Sequence, residues 1–174
     1  MGLVDGASVY GYGLQSPNRY TDFRGLFTFQ DAVSSLYGKN RSKYYDSGFT
    51  QEEIFNEWLD LERNNADWLD ELPACPCNVE DAIGEGWNNL APANPLHLGG
   101  VSETQSKPTA GGHASQCVYD ANGNLMTEAP AGGTADFKAF TFPGVGHTFH
   151  DVLPFFTAQQ LGRVNDYYSV RPVQ

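Results

Sequence analysis

Cysteine is scarce in this chain: Cys75, Cys77 and Cys117 are the three present. An odd count leaves one thiol over if two of them pair. Three are too few for a small disulfide-stapled scaffold. Basic residues are also few, with 10 Lys and Arg against 21 Asp and Glu and a net charge of −11. That balance excludes direct nucleic-acid binding, which needs clustered cations on the phosphates, and argues against anionic membrane surfaces. No apolar run approaches the roughly 18 residues of a membrane span, so membrane insertion is not expected. "MGLVDGASVYGYG" has no basic stretch leading into an apolar run, so no signal peptide is visible in it. Gly6 stands where a myristoylation signal wants Ser or Thr. Phosphate loops are missing too: "GYGLQS" and "PGVG" lack both the glycine spacing and the lysine. No internal repeat is visible.

What is present is enough for a folded domain. The chain has 174 residues, 40% of them hydrophobic and 13% aromatic, which suits one domain with a proper core. With 19 Gly and 10 Pro, many turns and short elements are expected. The charge is unevenly spread. Residues 51–90 hold eleven acids and one base, Arg63, whereas residues 1–50 hold four acids and five bases, which leaves room for a complementary contact between the two regions.

Residues 1–50 read as an aromatic and Gly-rich extension with one short helix at 29–37, where Thr28 caps and Gly38 stops. "VYGYGLQSPNRYTDFRGLFTF" within it is either core cover or a contact surface. A clearer helix starts at "TQEEIFNEWLDLER", where Thr50 and Glu53 make a capping box. Ile54, Phe55, Trp58, Leu59 and Leu61 form its apolar face, and Asn64-Asn65 ends it. "DWLDEL" makes a second short helix running to Pro73. Trp58 and Trp68 are expected in the core. Asn78 is placed to cap a helix over 79–84. Residues 86–112 read as loop. "CVYDANGNLMT" reads as a hairpin whose Asn122-Gly123 turn favours positive φ. "HDVLPFFTAQQLG" reads as a helix with Asp151 near its start and Gly162 near its end, and "YYSVRPV" as a terminal strand. The fold class is an irregular single α+β domain: short helices, a small antiparallel sheet and long Gly/Pro-rich loops.

Three chemistries compete for "GGHASQCVYDANGNL". A cysteine-dependent hydrolase or toxin-like effector would use Cys117 as nucleophile, with His113, His147 or His150 as base and Asp151 or Asp120 to orient it. No protease signature surrounds Cys117, and it opens a hairpin rather than a helix. A zinc-stabilised structural subunit would use Cys75, Cys77, His113 and Cys117 as four ligands, although C-x-C with proline between is a poor chelate. His147 and His150 are a weaker set. A calcium loop at Asp120, Asn122 and Asn124 fails, because Ala131 occupies the position of the closing carboxylate. Third, Cys75 or Cys77 joined to Cys117 would close a loop of about forty residues, a staple worth roughly 3–4 kcal/mol. No cofactor other than zinc is suggested.

The words "EWL" (57–59), "LPACPC" (72–77), "GGHASQCVYDANGNLMTEAPAGGTAD" (111–136), "HDVLPF" (150–155) and "YYSVRP" (167–172), in this order, resemble the AMOP domain, an adhesion-associated domain of mucin-like and other cell-surface proteins. The resemblance covers residues 51–174. It departs from the family where Val118 replaces the second cysteine of a pair and Thr157-Ala158 stands at another, which makes this a cysteine-depleted variant. "YDANGNLMT" is also similar to one YD repeat, but those come in arrays and one copy is present. The AMOP resemblance implies a non-enzymatic adhesion, protein-interaction or structural module. Its setting would be extracellular, at a cell surface or on a secreted particle, with a protein partner or self-assembly.

Overall fold

The computed structural model describes residues 50–141 and 144–174. The expected helix at 29–37 and the aromatic N-terminal segment lie outside them.

Helix α1 (Gln51–Asn64) begins where the sequence caps it. Thr50 Oγ1 accepts from the Glu53 N–H at 3.2 Å, and the Glu53 carboxylate accepts from the Thr50 N–H at 2.7 Å. The two bonds satisfy donors that a helix start otherwise leaves unpaired. Ile54, Phe55, Trp58 and Leu59 are buried on one face, and Glu62 shares it. Asn65 caps the far end. A 3-10 turn over Asp67–Glu71 buries Trp68, and a second covers Val79–Ala82. The second is shorter than expected, and the Asn78 side chain makes no capping bond there.

Four short strands follow: β1 (Ala91–Pro92), β2 (Ser102–Gln105), β3 (Ala114–Tyr119) and β4 (Ala135–Asp136). They form one antiparallel sheet in the order β1-β2-β3-β4. Thr104 stands opposite Cys117 in the β2–β3 register. The expected hairpin is half right. Its turn forms, with Asp120 Oδ1 accepting from the Asn122 and Asn124 N–H groups at 2.8 and 2.9 Å and Gly123 at φ +79°. The returning arm, however, pairs with β3 through a single bridge, Tyr119–Leu125. The long ladder partner of β3 is β2, inside the stretch read as loop. "SETQ" is polar and four residues long, so it carries no alternating pattern to reveal it. Gly133 crosses β3 so closely that a Cβ there would collide with the Gln116 carbonyl.

The C-terminal part is helical. Helix α2 (Val145–His147) passes through a π turn (Thr148–Val152) into α3 (Leu153–Gln160). Asp151 therefore sits mid-run rather than near the start. Gly162, at φ +67°, turns the chain into α4 (Val164–Val170). That helix overturns the strand expected at "YYSVRPV": Tyr167 and Val170 are buried and Val164 packs against the same core, a spacing of three that a strand cannot place on one face. Irregular backbone follows it. There the Pro172 carbonyl accepts from the Ala135 N–H at 3.0 Å and the Gln174 carbonyl from the Cys75 N–H at 2.7 Å.

Two cores result. The larger joins α1 to α3 and α4 through Ile54, Phe55, Trp58, Leu59, Leu153, Phe155 and Tyr167 among others. The smaller lies under β3 and consists of Cys75, Ala82, Cys117 and Tyr119. Cys75 and Cys117 are joined by a disulfide that spans 42 positions of sequence, with Cα atoms 5.7 Å apart.

Candidate functional site

The disulfide decides where the sequence candidates stand. Cys117 is fully buried and bonded to Cys75, so it presents neither a thiolate nor a zinc ligand in this structure. The four-ligand set of Cys75, Cys77, His113 and Cys117 is therefore not assembled. Cys77 is an exposed free thiol. His113 packs between Trp68 and Phe137, each ring centroid 4.8 Å away, with Nδ1 2.6 Å from the Phe137 carbonyl. His150 lies against Phe137 and Phe149. Burial there, opposed by the Asp151 carboxylate, pushes its pKa down to about 4, so this imidazole is neutral at pH 7. His113 and His150 thus sit among aromatic rings, and Asp120 closes a turn.

The polar chemistry gathers elsewhere, where β4 meets the C-terminal helices. Asp151 Oδ1 accepts from the Phe137 N–H at 2.7 Å and from Arg171 Nη1 at 3.2 Å; Oδ2 accepts from the Lys138 N–H at 3.0 Å. It therefore fixes the chain as it leaves β4. Arg171 Nη2 reaches Glu62 of α1 at 2.9 Å. Its guanidinium is walled by Trp68, Phe137 and Trp58 at 4.9, 5.5 and 5.8 Å, an environment that suits this weakly hydrated cation. Asp136, 1% exposed, accepts from Gln105 Nε2 at 2.6 Å. His147 Nδ1 lies 3.6 Å from oxygens of both Asp136 and Asp151, and 3.1 Å from the Lys138 carbonyl.

Charge follows this geometry. Burial raises the Asp136 pKa to about 7, against the pull of His147. Burial alone would lower that of His147, but the Asp136 and Asp151 carboxylates raise it to about 9. Burial would raise that of Asp151 too; its contacts with His147 and Arg171 prevail and hold it below the usual carboxylate range. The result is a buried row in which acidic and basic side chains alternate: Glu62, Arg171, Asp151, His147, Asp136.

A cavity of about 50 Å³ opens beside this row, lined by Asp136, His147, Asp151, His97 and Tyr168 among others. His97 Nδ1 contacts the Gly132 carbonyl at 3.0 Å, and burial lowers its pKa. Of the residues here, the sequence singled out His147 and Asp151 but neither Asp136, Arg171, Glu62 nor His97. One signal was available: Glu62 falls on the apolar face of α1, four residues after Trp58, and a carboxylate there needs a buried cation.

The family model of the AMOP domain matches residues 50–174. Protein mesh of Bombyx mori is 29% identical over 123 residues, which cover 58% of this chain and 8% of that protein. The match thus spans under a tenth of the relative's length. No solved structure matches the chain.

Proposed function

The chain belongs to the AMOP domain family, whose members are adhesion-associated extracellular domains, and from that premise we propose that it is a non-enzymatic protein-interaction module of a cell-surface or secreted assembly. It would act by homotypic contact or by binding a protein partner. The family match over the whole described region carries this reading. The Cys75–Cys117 bond supports it, because such staples persist in oxidising, extracellular settings. The inward-facing polar groups support it as well: they fasten the fold, which leaves the outer surface for contact.

The test is adhesion by the full chain. Beads coated with it are expected to cluster with one another or to hold to a cell layer, and reduction of the disulfide is expected to abolish this. Beads that stay dispersed and bind no cells, together with turnover of ester or peptide substrates that a thiol reagent stops, would overturn the reading in favour of a hydrolase.

A further inference from the structure

Among the described residues, five large apolar side chains are well exposed, and three of them, Leu90, Leu98 and Val101, lie in or beside the β1-β2 hairpin. Single exposures are ordinary on a folded surface; several on one hairpin are not. Leu98 is 68% and Val101 55% exposed. The hairpin tip is firmly anchored. Leu96 packs on the larger core, and His97 is buried with Nδ1 3.0 Å from the Gly132 carbonyl. The His97 carbonyl accepts from the Gly100 N–H at 2.9 Å, and Gly99 has φ +88°, which closes a tight turn with Leu98 at its second position. A Cβ at Gly100 would stand 2.6 Å from Val118 Cγ1, so the turn lies hard against β3. Leu98 is therefore held outward by anchors on both sides, and no ordering has to precede contact.

Charge restricts what can meet this surface. Residues 86–102 contain no Asp, Glu, Lys or Arg, the longest such stretch in the chain. His97 adds no charge, since burial lowers its pKa. The neighbouring Glu103 is engaged within the hairpin, its carboxylate accepting from the Asn94 N–H at 2.9 Å. Residues 50–174 as a whole hold 17 acids and five bases. A second copy brings the same negative charge, and like charges face to face cost affinity. Two copies can therefore approach closely only where neither presents a carboxylate. A basic partner finds no carboxylate to pair with on the hairpin. A lipid surface is a poorer fit, because an interfacial anchor carries Lys or Arg beside its apolar face and the hairpin has neither.

We propose that the exposed face of the β1-β2 hairpin, with Leu90, Leu98 and Val101 at its centre, is a homotypic contact on which a second copy of this chain docks about a two-fold axis. This rests on the interaction-module reading and names its partner and its surface. In a two-fold contact one patch serves both copies, and a neutral apolar patch is complementary to itself. The acidic surface around it disfavours every other way for two copies to meet. That repulsion is screened by salt whereas apolar contact is not, so salt tightens the pair.

The test is sedimentation of the full chain over graded concentration, with bead clustering alongside. A monomer–dimer equilibrium is expected, tighter in about 0.5 M salt than in about 0.05 M. Leu98→Glu changes a side chain already in solvent and should leave the circular dichroism unchanged. It should weaken the dimer at least about a hundredfold, because a two-fold contact carries the change twice. If that variant does not fold, Val101→Glu takes its place. Ile83→Glu, at a residue 63% exposed outside the hairpin, should leave the dimer intact. A chain that stays monomeric throughout, a dimer that Leu98→Glu and Val101→Glu both spare, or one that Ile83→Glu breaks equally overturns the proposal. So does a dimer that salt loosens. Binding to phosphatidylcholine vesicles that Leu98→Glu abolishes also overturns it, making the hairpin a lipid contact. The beads judge the adhesion reading separately. Clustering that survives Leu98→Glu overturns this surface alone, whereas a Leu98-dependent dimer whose beads stay dispersed upholds the surface and overturns adhesion.

Discussion

Among the described residues, ten buried side chains around α1, α3 and α4 form one core, and five of them are aromatic; beneath β3 the core is four residues, two of them the bonded cysteines. The helical region holds through area removed from water, at about 25 cal/mol per Å². The sheet region has little such area, since its strands are two to six residues long. It holds instead through a covalent bond, a lattice of backbone hydrogen bonds and the residues after α4. A cross-link thus sits where apolar burial is thin. The large core keeps its shape with no cysteine among its buried residues.

The hardest blow to this division would fall on what joins the two regions. Arg171→Met leaves Glu62 and Asp151 buried without their guanidinium, and a loss of about 5 kcal/mol is expected, read as a collapse of the urea midpoint. Both regions should fail together. Reducing the disulfide separates them more cleanly. A closed loop of this length is worth about 4 kcal/mol, and hydrogen exchange should rise first at β2 and β3, while the amides of α1 and α3 stay protected longer. Exchange that rises equally everywhere would erase the distinction.

Acidity gives a smaller, graded effect. The His147 pKa is raised to about 9, so its stabilising contribution is complete below about pH 6.5 and is lost as pH climbs through 9. Asp136, raised to about 7, adds a loss between about pH 4 and 7 as it ionises. His150, lowered to about 4, works the other way, costing stability as pH falls from about 6.5 to 4. The two oppose each other on the acid side, so the clear limb is alkaline: on the order of 2–3 kcal/mol should disappear between about pH 7 and 9.5. His147→Gln should flatten it. The smallest change is Thr50→Ala, which removes half of the capping box and should cost about 1 kcal/mol, confined to α1 and visible in its first-turn amides.

How much of this was legible depended on whether the cause was local. The capping box, the apolar face of α1 and the Asn-Gly turn are written within a few neighbouring residues, and each was read. β2 was missed because four polar residues acquire strand character only from β3 beside them. The C-terminal segment was misread because "YYSV" suits either period, and contact with the core decides. The buried polar row joins residues up to 109 positions apart, and no spacing rule reaches that far. The cysteines were narrowed to two possible pairings, and Cys75 is the one that sits opposite Cys117.

One feature of the chain's far end bears on how the protein is made. Arg171, Pro172 and Gln174 supply the guanidinium between Glu62 and Asp151, the bond to Ala135 and the bond to Cys75. Synthesis runs from the N-terminus, so α1 and β4 leave the ribosome well before these partners do. Until residues 171–174 clear the exit tunnel, Glu62 and Asp151 lack the guanidinium that joins them and the sheet lacks its last lace. A nascent chain stalled short of residue 171 should therefore remain open to protease.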